Sequence, residues 1–275
     1  MLLACAWILP VSLQDAFGGL LILSLGIVHG ANDIALIRNR KPNQSKIEIT
    51  LAYIGVVVLG AFAFFFIPGI ALLFFVLVST YHFGEQHWNK RLQPLSFPFV
   101  HYTIYGSVVF ATLFYFHQHV VYEVVKTLSG VSLPFDYFSI FLSFSVVAFG
   151  LLWSLTPTTR KEFLFECLVL GLIVGVFARG SLLYAFGSYF VVWHSFPSLK
   201  SQMNFLYAPQ PFGQKLFLYL KSSFWYWSAA LLGLLGVYLW IDFSAHYFLP
   251  LFFTFLAAIT FPHVVVMHRM FHTKK

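Results

Sequence analysis

The chain has 275 residues, of which 60% are hydrophobic and only 9% charged, and a net charge of +7. A soluble domain carries about 25% charged residues, so the composition excludes an ordinary soluble protein. It indicates an all-α fold, a polytopic membrane helix bundle forming a single integral-membrane domain over residues 1–275. Two cysteines, Cys5 and Cys167, exclude a disulfide framework and a Cys-rich metal site, and membrane topology accounts for the positive charge without nucleic acid.

Taken in order, residues 1–13 are apolar but too short to span a bilayer. Pro10 and Asp15 interrupt them, so a separate partial or re-entrant segment is expected. The N-terminus has no basic stretch, and no cleavable signal peptide is expected. A spanning helix needs about 20 mostly apolar residues. By that rule helices fall near 16–37, 47–66, 69–88, 97–117, 135–155, 163–178, 181–196, 224–241 and 246–267. This makes about nine transmembrane helices, with eight or ten as the alternatives. Pro68, Pro134, Pro157, Pro197, Pro209 and Pro211 fall in the gaps, where helix breakers belong.

Charge supports the count. Loop 38–46 carries Arg38, Arg40, Lys41 and Lys46, which marks it as cytoplasmic. Alternating from there places 14 of the 16 basic residues on the same side, Lys274 and Lys275 among them, and leaves only Lys126 and Arg179 opposite. The expected orientation has the N-terminus outside and the C-terminus cytoplasmic.

The helices contain chemistry that a bilayer does not need. Ionisable groups at membrane depth are costly and usually face a bundle interior or cavity. His29 and Asp33 lie four apart, on one face of a helix. His82 and Glu85 share a face of the third helix, Trp193-His194 ends the seventh, and Pro262-His263 lies in the ninth. These four helices run the same way, so His29, His82, His194 and His263 are expected at one depth in the cytoplasmic leaflet. A lone membrane histidine is usually a packing residue. Four at one depth point instead to a shared metal, and an all-histidine set suits iron, copper or zinc. Asp33 and Glu85 either join the metal or accept the free N–H of a ligand ring and fix its tautomer. His87 is off the His82 face and is a reserve ligand should the helix end or unwind there. Trp88 and Trp193, beside motif histidines, are candidate walls of a substrate slot or residues of an interfacial belt. No phosphate loop or Ser-His-Asp pattern occurs.

At His29-Gly30 with Asp33, His82-Phe83-Gly84, Trp193-His194 and Pro262-His263, the chain resembles the Brp/Blh family of bacterial and archaeal membrane β-carotene dioxygenases. The resemblance implies Fe(2+), O2 as co-substrate, and cleavage of β-carotene from the bilayer at its central double bond into two molecules of retinal. It also implies a host that uses retinal, commonly for a microbial rhodopsin. One position departs from the pattern: four residues after His194, where a second histidine is often expected, stands Ser198. The fourth ligand is therefore assigned to His263. Two other readings are a proton-coupled membrane transporter relaying through His29, Asp33, His82 and Glu85, and a di-iron membrane desaturase or hydroxylase. The latter lacks its clustered histidine boxes in this sequence. Oligomeric state and preferred carotenoid are not encoded in any motif.

Overall fold

The computed structural model describes every residue except 93, 94, 96, 241–247 and 273–275, and describes residue 240 by its backbone alone. Among the described residues no strand forms, and the chain is helical almost throughout. The helices are α1 Leu2–Ile8, α2 Val11–Leu21, α3 Asp33–Arg40, α4 Lys46–Phe66, α5 Pro68–Trp88, α6 Pro98–Phe116 and α7 Gln118–Ser129. There follow α8 Asp136–Leu155, α9 Pro157–Arg160, α10 Phe163–Arg179, α11 Leu182–Tyr189, α12 Phe196–Tyr207, α13 Phe212–Trp240 and α14 Phe248–Phe271. Among them α4, α5, α6, α8, α13 and α14 are long and apolar enough to cross a membrane.

Local sequence explains the boundaries. Ser45 and Glu48 form the start of α4, where the serine hydroxyl accepts the Glu48 N–H at 3.1 Å, the first half of a capping box. Ser181 caps α11 by accepting from Tyr184 N, and its own N–H donates to Gln14 Oε1 at 2.7 Å. Burial separates lining helices from lipid-facing ones. In α6, 56% of the apolar window is buried, against 17% in α4 and 6% in α13. The exposed faces of α4 and α13 carry Ile47, Leu51, Leu59, Phe62, Leu232 and Leu239. Apolar surface is unfavourable in water by about 25 cal/mol per Å², so these faces belong against lipid chains.

Four expectations need correction. The span at 16–37 is not one helix. α2 passes into a π-helical turn at Ile22–Gly26, the chain turns at residues 29–32, and α3 starts anew at Asp33. Gly26 and Gly30 weaken the helix here, each by about 1 kcal/mol relative to alanine. The span at 181–196 does not stop at Pro197. α11 enters a π turn at Phe190–Ser195, and α12 continues to Tyr207 with Pro197 in its first turn, where the missing N–H costs no helical bond. Residues 118–129, between expected spans, form α7. The eighth expected span begins at Phe212 rather than at 224. The boundaries expected at 241 and 246, and Lys274 and Lys275, lie outside the described residues.

The chain divides into two compact units. The first comprises Met1–Ile22, Val76–Lys126 and Val131–His194. Within it α2 packs on α11, α6 on α8 and α10, and α1 on α10. Where α5 crosses α6 the backbones touch: a Cβ on Gly84 would sit 1.8 Å from the Tyr102 carbonyl, and one on Gly106 would sit 1.8 Å from that of Thr80. Only glycine permits this approach. Trp88, wholly buried, packs on Trp153 and Tyr105. The second unit comprises Leu23–Phe75, Thr127–Gly130 and Ser195–Lys275. Here α14 packs on α4 and α3, and α12 on α3 and α13.

Candidate metal centre

In the second unit the broken helix determines where His29 sits. The turn at 29–32 places its ring on the backbone: Nδ1–H donates to the Gly26 carbonyl. Its own carbonyl is gripped from two sides. Gln202 Nε2 donates to it at 2.8 Å, and the Tyr219 hydroxyl lies 2.9 Å from it and 2.9 Å from Gln202 Oε1. A phenol has one proton, so Tyr219 donates to one of these at a time. Asn32 anchors the far side, donating to Tyr219 O at 3.0 Å and accepting from Ser222 at 2.7 Å. Each hydrogen bond satisfies a buried polar group that would otherwise be costly.

Asp33 does not follow His29 on a helix face, because the helix is broken between them. Its carboxylate faces His263 of α14 instead, with both oxygens 3.0 Å from Nδ1. The Tyr53 hydroxyl of α4 donates to Asp33 Oδ2 at 2.8 Å. The His29 and His263 rings meet edge to face, their centroids 4.8 Å apart. Gly30 lies beside the ring: a Cβ there would be in ordinary contact with His263 Nδ1, at 3.4 Å. Nδ1 of both rings thus faces an oxygen acceptor. That fixes the tautomer with the proton on Nδ1 and leaves Nε2 as the nitrogen suited to a metal, the usual arrangement of a histidine ligand and its carboxylate or carbonyl partner. Two such imidazoles fit a first-row metal.

Ser198 is buried in this unit. Its hydroxyl accepts from Gln202 Nε2 at 3.1 Å and lies 4.0 Å from Met267 Sδ. Met267 stands one turn after His263 on α14.

In the first unit His82 of α5 and His194 of the second π turn pair in the same way, with centroids 4.8 Å apart at 73°. Phe83 and Phe190 stack on the His194 ring at 4.4 and 5.4 Å. Both histidines are buried. A π turn shifts the register by one residue and is common at functional sites; here one precedes His29 and another contains His194. The Tyr81 hydroxyl donates to Glu85 Oε1 at 2.6 Å. Trp193, half-buried, stacks on Tyr189 at 6.1 Å.

His87 has a different partner from the motif histidines. α5 ends at Trp88, one residue after His87. Its Nε2 lies 3.1 Å from Glu166 Oε2, and its ring stacks on Tyr105 at 4.7 Å. Glu166, wholly buried, also accepts from Arg91 at 2.6 Å and from Tyr105 at 3.3 Å. Sequence reasoning missed Glu166, Gln202, Tyr53 and Tyr219. The signal was available for Glu166: an acid in the otherwise apolar α10 needs partners.

A family model described as β-carotene 15,15′-dioxygenase matches residues 20–271. A curated β-carotene 15,15′-dioxygenase from uncultured marine bacterium 66A03 is 25% identical over 260 residues, covering 91% of this chain and 92% of that protein. No solved structure matches. The matched region contains both histidine pairs, Asp33 and Glu85, and the chain belongs to the β-carotene 15,15′-dioxygenase family.

Proposed function

We propose that this protein is a membrane enzyme that cleaves β-carotene with O2 at the central double bond into two molecules of all-trans retinal, at a non-haem Fe(2+) held by His29, His82, His194 and His263. The observation that supports this most is the pairing of buried histidines, His29 with His263 and His82 with His194, in a chain of this family. The fixed tautomers of His29 and His263 add to it. When bound, Fe(2+) supplies electrons to O2, which zinc cannot do.

The chain's own residues do the rest. Four neutral imidazoles leave the ion its full charge. Asp33, itself held by Tyr53, orients His263. Glu85, held by Tyr81, is on the helix face of His82 and is assigned the same role there. Phe83 and Phe190 cover the His194 ring and exclude water. Trp193, with Trp88, is assigned to the slot that receives the apolar polyene from the bilayer. The protein acts as one membrane domain in a bacterial cytoplasmic membrane, N-terminus outside, and its retinal passes to a microbial rhodopsin.

The test is expression in bacteria that make β-carotene, beside His29→Ala and His194→Ala variants, with pigments resolved by chromatography. Retinal from the parent and none from the variants is expected. Unaltered β-carotene in every culture, with folded iron-containing protein in the membrane, rules the function out. A transporter would hold no stoichiometric iron.

A further inference from the structure

We propose that a groove along α4 and α14 is a binding site for one anionic phospholipid. The groove encloses about 620 Å³ within the second unit. Three cations, Arg40, Lys41 and Arg269, line it, against one acid, Glu48, among its described lining residues. Arg40 and Lys41 close α3, Glu48 opens α4, and Arg269 closes α14, so these charges gather at one end. From there the wall turns apolar. Ile49 and Val56 of α4 and Val265 of α14 line its length. Seven residues of α-helix cover about 10 Å, a large part of the depth of one leaflet.

This gradient selects the occupant. A phosphate-bearing headgroup matches the cations, and basic pockets between helices at a membrane face commonly take such headgroups. An acyl chain matches the wall, which runs along two helices suited to spanning the bilayer. A neutral polyene would make no use of the basic end of the groove, and a free phosphate would make no use of its apolar wall. Tyr53 and Pro262 also line the groove. Tyr53 donates to Asp33, which faces His263, so, on the reading above, two side chains would separate the lipid from an iron ligand.

The experiment needs neither iron nor β-carotene, so its outcome is separate from that of the proposed reaction. Purified protein is exchanged into detergent, and phosphatidylglycerol and phosphatidylcholine are titrated by native mass spectrometry. The parent is expected to prefer phosphatidylglycerol at least tenfold. A basic side chain near a headgroup contributes about fivefold, so the double variant Arg40→Gln, Arg269→Gln should weaken phosphatidylglycerol about 20- to 30-fold and leave phosphatidylcholine unchanged. Ala52→Trp, which fills the groove from α4, should weaken both lipids. Glycerol phosphate without acyl chains should not displace the bound lipid. Equal affinity of the parent for the two lipids, undiminished phosphatidylglycerol binding in the folded double variant, or displacement by glycerol phosphate at matching concentration would overturn the proposal.

Discussion

Replacing Asp33 by asparagine keeps the shape of the side chain and removes its charge. In the structure the carboxylate accepts from His263 Nδ1 at 3.0 Å and from Tyr53 at 2.8 Å while only 1% exposed. Hydrogen bonds to a buried charged group contribute about 1.5–3 kcal/mol, against about 1 kcal/mol for neutral ones. An asparagine oxygen at the Oδ2 position can still accept from both Nδ1–H and Tyr53, but its amide then stands where Oδ1 stood, 3.0 Å from Nδ1. Two donors then face each other, and relieving this moves the His263 proton to Nε2, the nitrogen needed for the metal. The expected loss is about 1.4–2.8 kcal/mol, or 10- to 100-fold in metal affinity. Tyr53→Phe removes one bond and leaves the charge, so its loss should be smaller, about three- to fivefold. Iron retained per chain is measured after graded competition with a chelator. Parent-like retention in folded Asp33→Asn would refute the assignment of Asp33 as the group that orients His263.

Gly84→Ala drives a methyl into the Tyr102 carbonyl. It should lower thermal stability by several degrees or abolish folded yield, whereas Gly150→Ala, with open space around it, should not; melting curves in detergent compare them. Glu166→Leu leaves Arg91 and His87 without their acceptor. Because Arg91 is 42% exposed, solvent tempers the cost to about 1–3 kcal/mol, read as a lowered melting temperature with iron content per folded chain unchanged. Ser198→His places a ring in a fully buried site beside Met267 and Gln202. Overpacking by about 1–3 kcal/mol should lower folded yield without raising iron content, and a gain in iron would show that position 198 can supply a ligand.

The helical membrane architecture was legible from composition because helices such as α4 and α8 are apolar almost throughout. The histidines stood out for the same reason, each being a polar residue that a lipid-facing helix has no use for. Their partners were less legible. Asp33 is four residues from His29, and an unbroken helix would have aligned the two. The break between Gly26 and Asp33 sends the carboxylate to His263, 230 residues away. Pro197 reads as a stop, yet the π turn before it lets the helix run on. His87 looks like a reserve ligand until α10 brings Glu166 to it. These outcomes depend on which helix packs beside which, a tertiary property that periodicity along one segment does not contain.

The most direct measurement is product stoichiometry. Purified, iron-loaded protein is given β-carotene in detergent under O2, and the products are separated and quantified. Two molecules of retinal per β-carotene consumed, with none from His82→Ala or His263→Ala, is the predicted result. Apocarotenals of unequal length, or β-carotene recovered intact from folded protein with stoichiometric iron, would contradict it.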